Sequence, residues 1–346
     1  MNGTDSLPLV VGLPGTTVTD DDMALLERVR PAGVILFSRN IETPDQVREL
    51  VSGLEDLEPR PFVTADLEGG MVNRLSALWG DLPPPAEAAA AGRRAVRALG
   101  EAAGSACRSL GIQLDLAPVV DLDCPGGCLS GQGRCLGSDP DRVVILARIF
   151  NEGLGKWGVS GCSKHFPGLG PVPADTHEEL PVLESDDEEL GRQLNIFEEL
   201  GTEFPAVMVA HVIAPGLGDA ERPASLSRTV VEHAANLPGS PVVLADDLEM
   251  GALGEWGDLP DRVTAALHAR NHGLLICNAC DRIDEIASHL RESAEADPIV
   301  TTRLAEMIAR MGTLARDLHR RAAAVPAPDD TTVEQLWEQA RREAHL

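Results

Sequence analysis

The chain has 346 residues, 43% of them hydrophobic, which is enough for one large core or two modest ones. Its 29 basic residues against 55 acidic ones leave a formal net charge of −26, which argues against nucleic acid or an anionic membrane as partner. A neutral or cationic small substrate fits that balance better. The opening MNGTDSLPLVVGLPG has no basic region and only a short apolar run broken by Gly and Pro, so neither a signal peptide nor a membrane span is predicted. Seven cysteines, an odd number, are then expected as reduced thiols in the cytoplasm. Cys124-x3-Cys128-x6-Cys135 and Cys277-x2-Cys280 contain metal-ligand residue types, but neither has a full four-ligand spacing.

Short apolar, β-branched runs predict strands at 8–13, 33–37, 61–66, 112–118, 159–166, 206–211, 241–247 and 273–278. Being apolar on both faces, they suit a buried parallel sheet. Amphipathic segments predict helices at 20–30, 44–56, 86–109, 140–156, 186–201, 227–236, 259–270 and 282–294, several with a good start signal such as Thr43-Pro44. Strand then helix, eight times over, predicts an α/β fold, a (β/α)8 TIM-type barrel. We expect residues 1–300 to form it and 301–346 to be a C-terminal helical extension packed on it. In that extension a long helix is predicted near 301–324, and a last one after the linker VPAPDD, starting at a Thr332-x-x-Gln335 capping box.

Barrel chemistry sits at the C-terminal ends of strands, and the polar residues of this chain fall there. The third predicted strand ends in Asp66-Leu67-Glu68-Gly69-Gly70, the fifth in Lys164-His165, the sixth in His211 and the seventh in Asp246-Asp247. Each alone has an ordinary explanation as helix cap or polar surface. Several charged groups at one mouth must be paired, solvated or used. The stretch KHFPGLGPVPADTH (164–177) adds two histidines, a lysine and an aspartate on a Pro/Gly-broken loop.

Together ADLEGGMVNRL (65–75), GVILFSRNI (33–41), LDLAPVVDLD (114–123), KHFPGLG with ADTH (164–177), MVAHVIAP (208–215), PASLS (223–227) and LADDLEMGAL (244–253) resemble glycoside hydrolase family 3. The similarity is to its bacterial β-N-acetylglucosaminidase branch, which acts in peptidoglycan recycling, and it runs from about residue 8 to about 255. The resemblance implies a retaining exo-β-N-acetylglucosaminidase acting on GlcNAc joined to anhydro-N-acetylmuramic acid or its peptides. Asp246 would be the nucleophile that forms a covalent glycosyl-enzyme. His177, oriented by Asp175, would be the acid/base, since a histidine gives and takes a proton near neutral pH. Asp66, Arg74, Arg134, Lys164 and His165 would hold the sugar hydroxyls. Strand alternation would turn Asp247 away, as a structural residue. Glu68 and His211 match motif positions without a fixed role, and Gly69-Gly70 is expected to turn the backbone tightly beneath the site.

Three positions depart from the family pattern: Met71 for an Arg, Leu169 for a second His, and His272 where an Asp is common nearby. The resemblance implies no cofactor, no metal, a small carbohydrate partner and a monomer or weak dimer. Three other readings compete with it. A phosphorylase of the same fold would use phosphate in place of water, a degenerate barrel would bind sugar without turnover, and a metal barrel would use the cysteines.

Overall fold

The computed structural model describes residues 6–173, 180–184 and 187–344, so His177 and Asp175 lie outside the described residues. Eight strands, β1 Leu7–Gly12, β2 Pro31–Leu36, β3 Phe62–Ala65, β4 Leu114–Asp115, β5 Ser160–Phe166, β6 Ala206–Val209, β7 Val242–Ala245 and β8 Gly273–Ile276, close into a parallel barrel in chain order. The (β/α)8 expectation is met. Helices follow the strands: α1 Asp20–Val29, α2 Pro44–Gly53, α3 Arg93–Ser109, α4 Pro140–Gly155, α5 Asp187–Leu200, α6 Arg228–Ala235, α7 Leu259–His268 and α8 Ile283–Ala296. Then come α9 Pro298–Ala323 and α10 Asp330–Ala344.

The strand runs are buried throughout, as two-faced apolar strands must be. One side chain set, including Val10, Ile35, Leu114, Leu116, Met208, Leu244 and Leu275, fills the barrel, and Met311, Leu314 and Leu318 of α9 join this cluster. The other set packs against the surrounding helices. Helix starts follow the capping rules: the Thr19 side chain accepts from Asp22 N–H and Asp258 from Asp261 N–H, each in a capping box. Thr43-Pro44 and Asp139-Pro140 pair a side-chain cap with a first-turn proline.

Four boundaries differ from expectation. The helix predicted over 86–109 is broken at Gly92, whose φ of +115° no helix tolerates, into Pro85–Ala91 and α3. The strand expected over 112–118 shrinks to Leu114–Asp115; Pro118, with no N–H, interrupts the ladder, which resumes as a single bridge between Val119 and Lys164. The strand expected over 241–247 stops at Ala245. The last helix is capped by Asp329, whose carboxylate accepts Thr332 N–H at 2.8 Å, and not by a box at Thr332. Two short hairpins, Leu67–Gly69 with Val72–Asn73 and Ile213–Ala214 with Asp219–Pro223, rise beside the barrel mouth.

Helices α3 and α4 meet at glycines. A Cβ on Gly100 would lie 2.3 Å from the Phe150 carbonyl oxygen, and one on Gly153 would lie 2.7 Å from Glu101 N. Helix α10 is pinned by Trp337, fully buried, which lies 5.5 Å from the Trp79 ring and donates from Nε1 to the Gly80 carbonyl. Arg341 adds a bond to the Asp81 carbonyl at 2.8 Å. At the floor of the barrel Lys156 follows α4 and pairs with Glu101, while a Cβ on neighbouring Gly158 would meet the Arg321 carbonyl of α9.

Candidate active site

A cleft at the C-terminal mouth gathers Asp66, Arg74, Arg134, Lys164, His165 and Asp246, six of the eight residues expected there from sequence. Asp66 follows β3, and the Leu67–Val72 hairpin returns Arg74 to the same wall. Gly69 and Gly70, with φ of +100° and +59°, make that return, as the Gly-Gly pair predicts. Arg134 comes from the loop after β4, Lys164 and His165 from the end of β5.

The wall is a chain of alternating charges. Lys164 Nζ donates to Asp66 Oδ1 at 2.9 Å and lies 2.6 Å from Glu68 Oε1. Glu68 in turn accepts both Nε and an Nη of Arg134 at 2.8 Å, a bidentate pair. Arg74 stands 3.6 Å from Asp66 and over the Phe37 ring. Burial alone would push Glu68 up, but Lys164 and Arg134 outweigh it and hold the carboxyl well below the usual range. Burial likewise works against the Lys164 and Arg134 charges. Asp66 and Glu68 reverse this for Lys164, and Glu68 does so for Arg134, so both stay cationic.

Asp121, fully buried, lies in the LDLAPVVDLD segment, yet sequence reasoning leaves it without a role. Its Oδ2 accepts His165 Nδ1–H at 2.8 Å and His165 N–H at 3.1 Å, and its Oδ1 accepts Leu169 N–H at 2.7 Å. A carboxylate at Nδ1 leaves Nε2 as the working atom of that ring. The Lys164–His165 peptide is cis.

Asp246 begins where β7 ends. Burial opposes its charge, but His211, His165, the Asp247 N–H and Lys164 together lower it below the ordinary value, so it is an ionised carboxylate. Its Oδ1 takes the Asp247 N–H at 2.8 Å. His211 donates from Nε2 to the Asp247 carbonyl at 2.8 Å and shares a 2.6 Å bond between Nδ1 and the Ser225 hydroxyl. The PASLS segment thus braces the backbone that carries Asp246.

Asp247 corrects the sequence reading. Because the strand ends at Ala245, alternation does not carry past it, and Asp247 lines the cleft beside Asp246. Its Oδ1 accepts Glu249 N–H and Cys277 N–H at 3.2 and 3.3 Å. Burial, then the charges of Glu249 and Asp246, raise it to about 7.

The departures from the family pattern fall in different places. Leu169 is buried in the cleft wall, Met71 is 65% exposed at the hairpin tip, and His272 sits below β8 at the opposite end, accepting Val243 N–H. Among the described residues no group of three or more His, Cys, Asp or Glu side chains is placed to hold a metal ion. Among the same residues no helix is long and apolar enough to cross a membrane.

The closed barrel and the charged cleft at its C-terminal mouth define a barrel of the enzyme type, and residues 9–312 match the glycosyl hydrolase family 3 N terminal domain. The chain belongs to glycosyl hydrolase family 3. It is 35% identical over 321 residues to a β-hexosaminidase of Alkalilimnicola ehrlichii, covering 88% of this chain and 89% of that one. A β-hexosaminidase of Pseudomonas aeruginosa is 35% identical over 277 residues, 78% of this chain and 82% of the relative. Among solved structures, a family 3 β-N-acetylglucosaminidase from Paenibacillus sp. str. FPU-7 superposes with a TM-score of 0.86 at 27% identity, over 97% of this chain and 67% of that one. Native NagZ from Neisseria gonorrhoeae gives 0.74 at 25% identity, over 97% and 90%.

Proposed function

We propose that this hydrolase is a retaining exo-β-N-acetylglucosaminidase that removes terminal β-linked GlcNAc, with peptidoglycan-derived GlcNAc-anhydro-N-acetylmuramic acid as its substrate class. The observation that carries the reading is Asp246, an ionised carboxylate at a strand end, sharing its cleft with a wall of buried charges. In the first step an Asp246 oxygen attacks C1 and forms a glycosyl ester as the bond to the leaving oxygen breaks. His177, held by Asp175, gives that oxygen its proton. In the second step His177 takes a proton from water as the water attacks C1, and the Asp246 carboxylate leaves. Asp66, Lys164, Arg134, Arg74 and His165 hold the ring through its hydroxyls. The seven cysteines, all outside any disulfide, support a reducing, cytoplasmic setting.

The test is release of nitrophenol from an aryl β-N-acetylglucosaminide beside the aryl β-glucoside, with and without phosphate. We expect release from the first substrate only, free GlcNAc as product, and no glycosyl-enzyme in Asp246→Ala. Accumulation of sugar 1-phosphate would assign the phosphorylase instead. No release from either substrate would leave sugar binding without catalysis.

A further inference from the structure

The feature that the proposed mechanism does not use is Glu68. Its side chain is completely buried at the back of the cleft, and both of its oxygens are committed to two cations of the wall that a sugar must meet. Oε1 serves Lys164 and Arg134 together, and Oε2 serves Arg134 alone. Lys164 is 3% exposed and Arg134 10% at the side chain, so water screens neither charge well.

We propose that Glu68 is a positioning residue that also sets selectivity: it fixes the spacing of Lys164 and Arg134 and balances their charge, so that this wall takes neutral hydroxyls and refuses anions. A buried lysine and a buried arginine side by side, facing a cleft, are an anion site by default. With Asp246 in the same cleft, Asp66 and Glu68 supply three negative charges against the three positive ones of Lys164, Arg134 and Arg74. Asp66, partly exposed and bonded to Lys164 through Oδ1, still has Oδ2 to offer a hydroxyl, while Glu68 is sealed behind the pair with both oxygens engaged. Removing the Glu68 charge therefore leaves the wall with an excess cation and one fewer anchor for each side chain. The inference rests on the proposed sugar-binding role of the cleft.

Two variants separate charge from reach. Glu68→Gln keeps the volume but loses the charge and puts an amide donor against a cationic donor. Glu68→Asp keeps the charge but is one methylene too short to span both cations. We expect both to raise KM for an aryl β-N-acetylglucosaminide about ten- to a hundredfold, with kcat changed less, as the loss of charge-assisted contacts implies. Only Glu68→Gln should gain sulfate binding, read as a sulfate-dependent rise in melting temperature and as competitive inhibition, both weak or absent in the wild type and in Glu68→Asp. A merely structural role for Glu68 would lower the melting temperature without creating sulfate affinity. Unchanged KM in both variants, or equal sulfate response in wild type and Glu68→Gln, overturns the proposal. Should Glu68→Gln fail to fold, the raised KM of Glu68→Asp is the deciding result. Sulfate-dependent melting needs no turnover, so an inactive wild type would count against the proposed function and leave this test intact.

Discussion

Asp246 and Asp247 are neighbours in one cleft, yet one is held ionised and the other takes up its proton near neutrality. The difference lies in what faces them: His211, His165 and Lys164 for Asp246, and the negative charges of Glu249 and Asp246 for Asp247. In the unfolded chain Asp247 ionises near 3.8, whereas in the fold it does so at about 7. Between those values the native state binds more protons than the unfolded one, so this residue makes stability fall as pH rises from about 4 to about 7, with no further loss above. Asp247→Asn should remove that slope. A tenfold change in proton affinity is worth about 1.4 kcal/mol, so we expect the variant to gain a few kcal/mol of stability at about pH 8 and to change little at about pH 4. Urea unfolding at the two pH values checks this, and an equal change at both would point to a different group. Sequence motifs located Asp66, Lys164, His165 and Asp246 because each stands at a strand end. Glu68 and Asp121 act through partners 66, 96 and 44 positions away, and no local spacing announces such pairs.

At the scale of elements, what was legible was whatever a period or a run of apolar residues writes into the chain. All eight barrel strands were, most of them because a strand buried on both faces reads as an apolar run, and β5, Ser160–Phe166, despite the polar residues it carries to the mouth. The short hairpins at 67–73 and 213–223 were not, since strands of two to five residues are too short to show a period. Gly92 was hidden inside an alanine-rich segment that favours helix on propensity alone, and only its backbone conformation shows the break. The contact of α3 with α4 depends on a different property of glycine, the lack of a side chain. Gly153→Ala gains helix propensity of about 1 kcal/mol. Its new Cβ would press on Gly100 and Glu101 backbone atoms that cannot yield, at a cost of about 1–3 kcal/mol. We expect net destabilisation in thermal unfolding; a rise in melting temperature would mean the two helices can part freely.

The whole molecule is a barrel with one open end. Helix α9 contributes to the cluster inside the barrel from below, so substrate meets the polar groups only from the C-terminal mouth. Helix α10 adds to the outer wall through Trp337. Trp337→Ala should cost about 3–5 kcal/mol, because a fully buried indole leaves a cavity and the Gly80 carbonyl keeps only the Asn73 amide as donor. Activity per folded molecule should not change, since the ring does not line the cleft. A variant that melts normally, or that folds but loses turnover, would contradict that separation.

The cations of this chain are almost all guanidinium groups: of 29 basic residues only Lys156 and Lys164 carry a side-chain amine. Lys164 is sealed in the cleft wall and held protonated by Asp66 and Glu68, so it is a poor nucleophile. Lys156 is half exposed and sits at the barrel floor. Amine-directed coupling to a bead or a sensor surface would therefore fasten the side chains of this protein at one point, floor down, with the mouth turned outward to the solution.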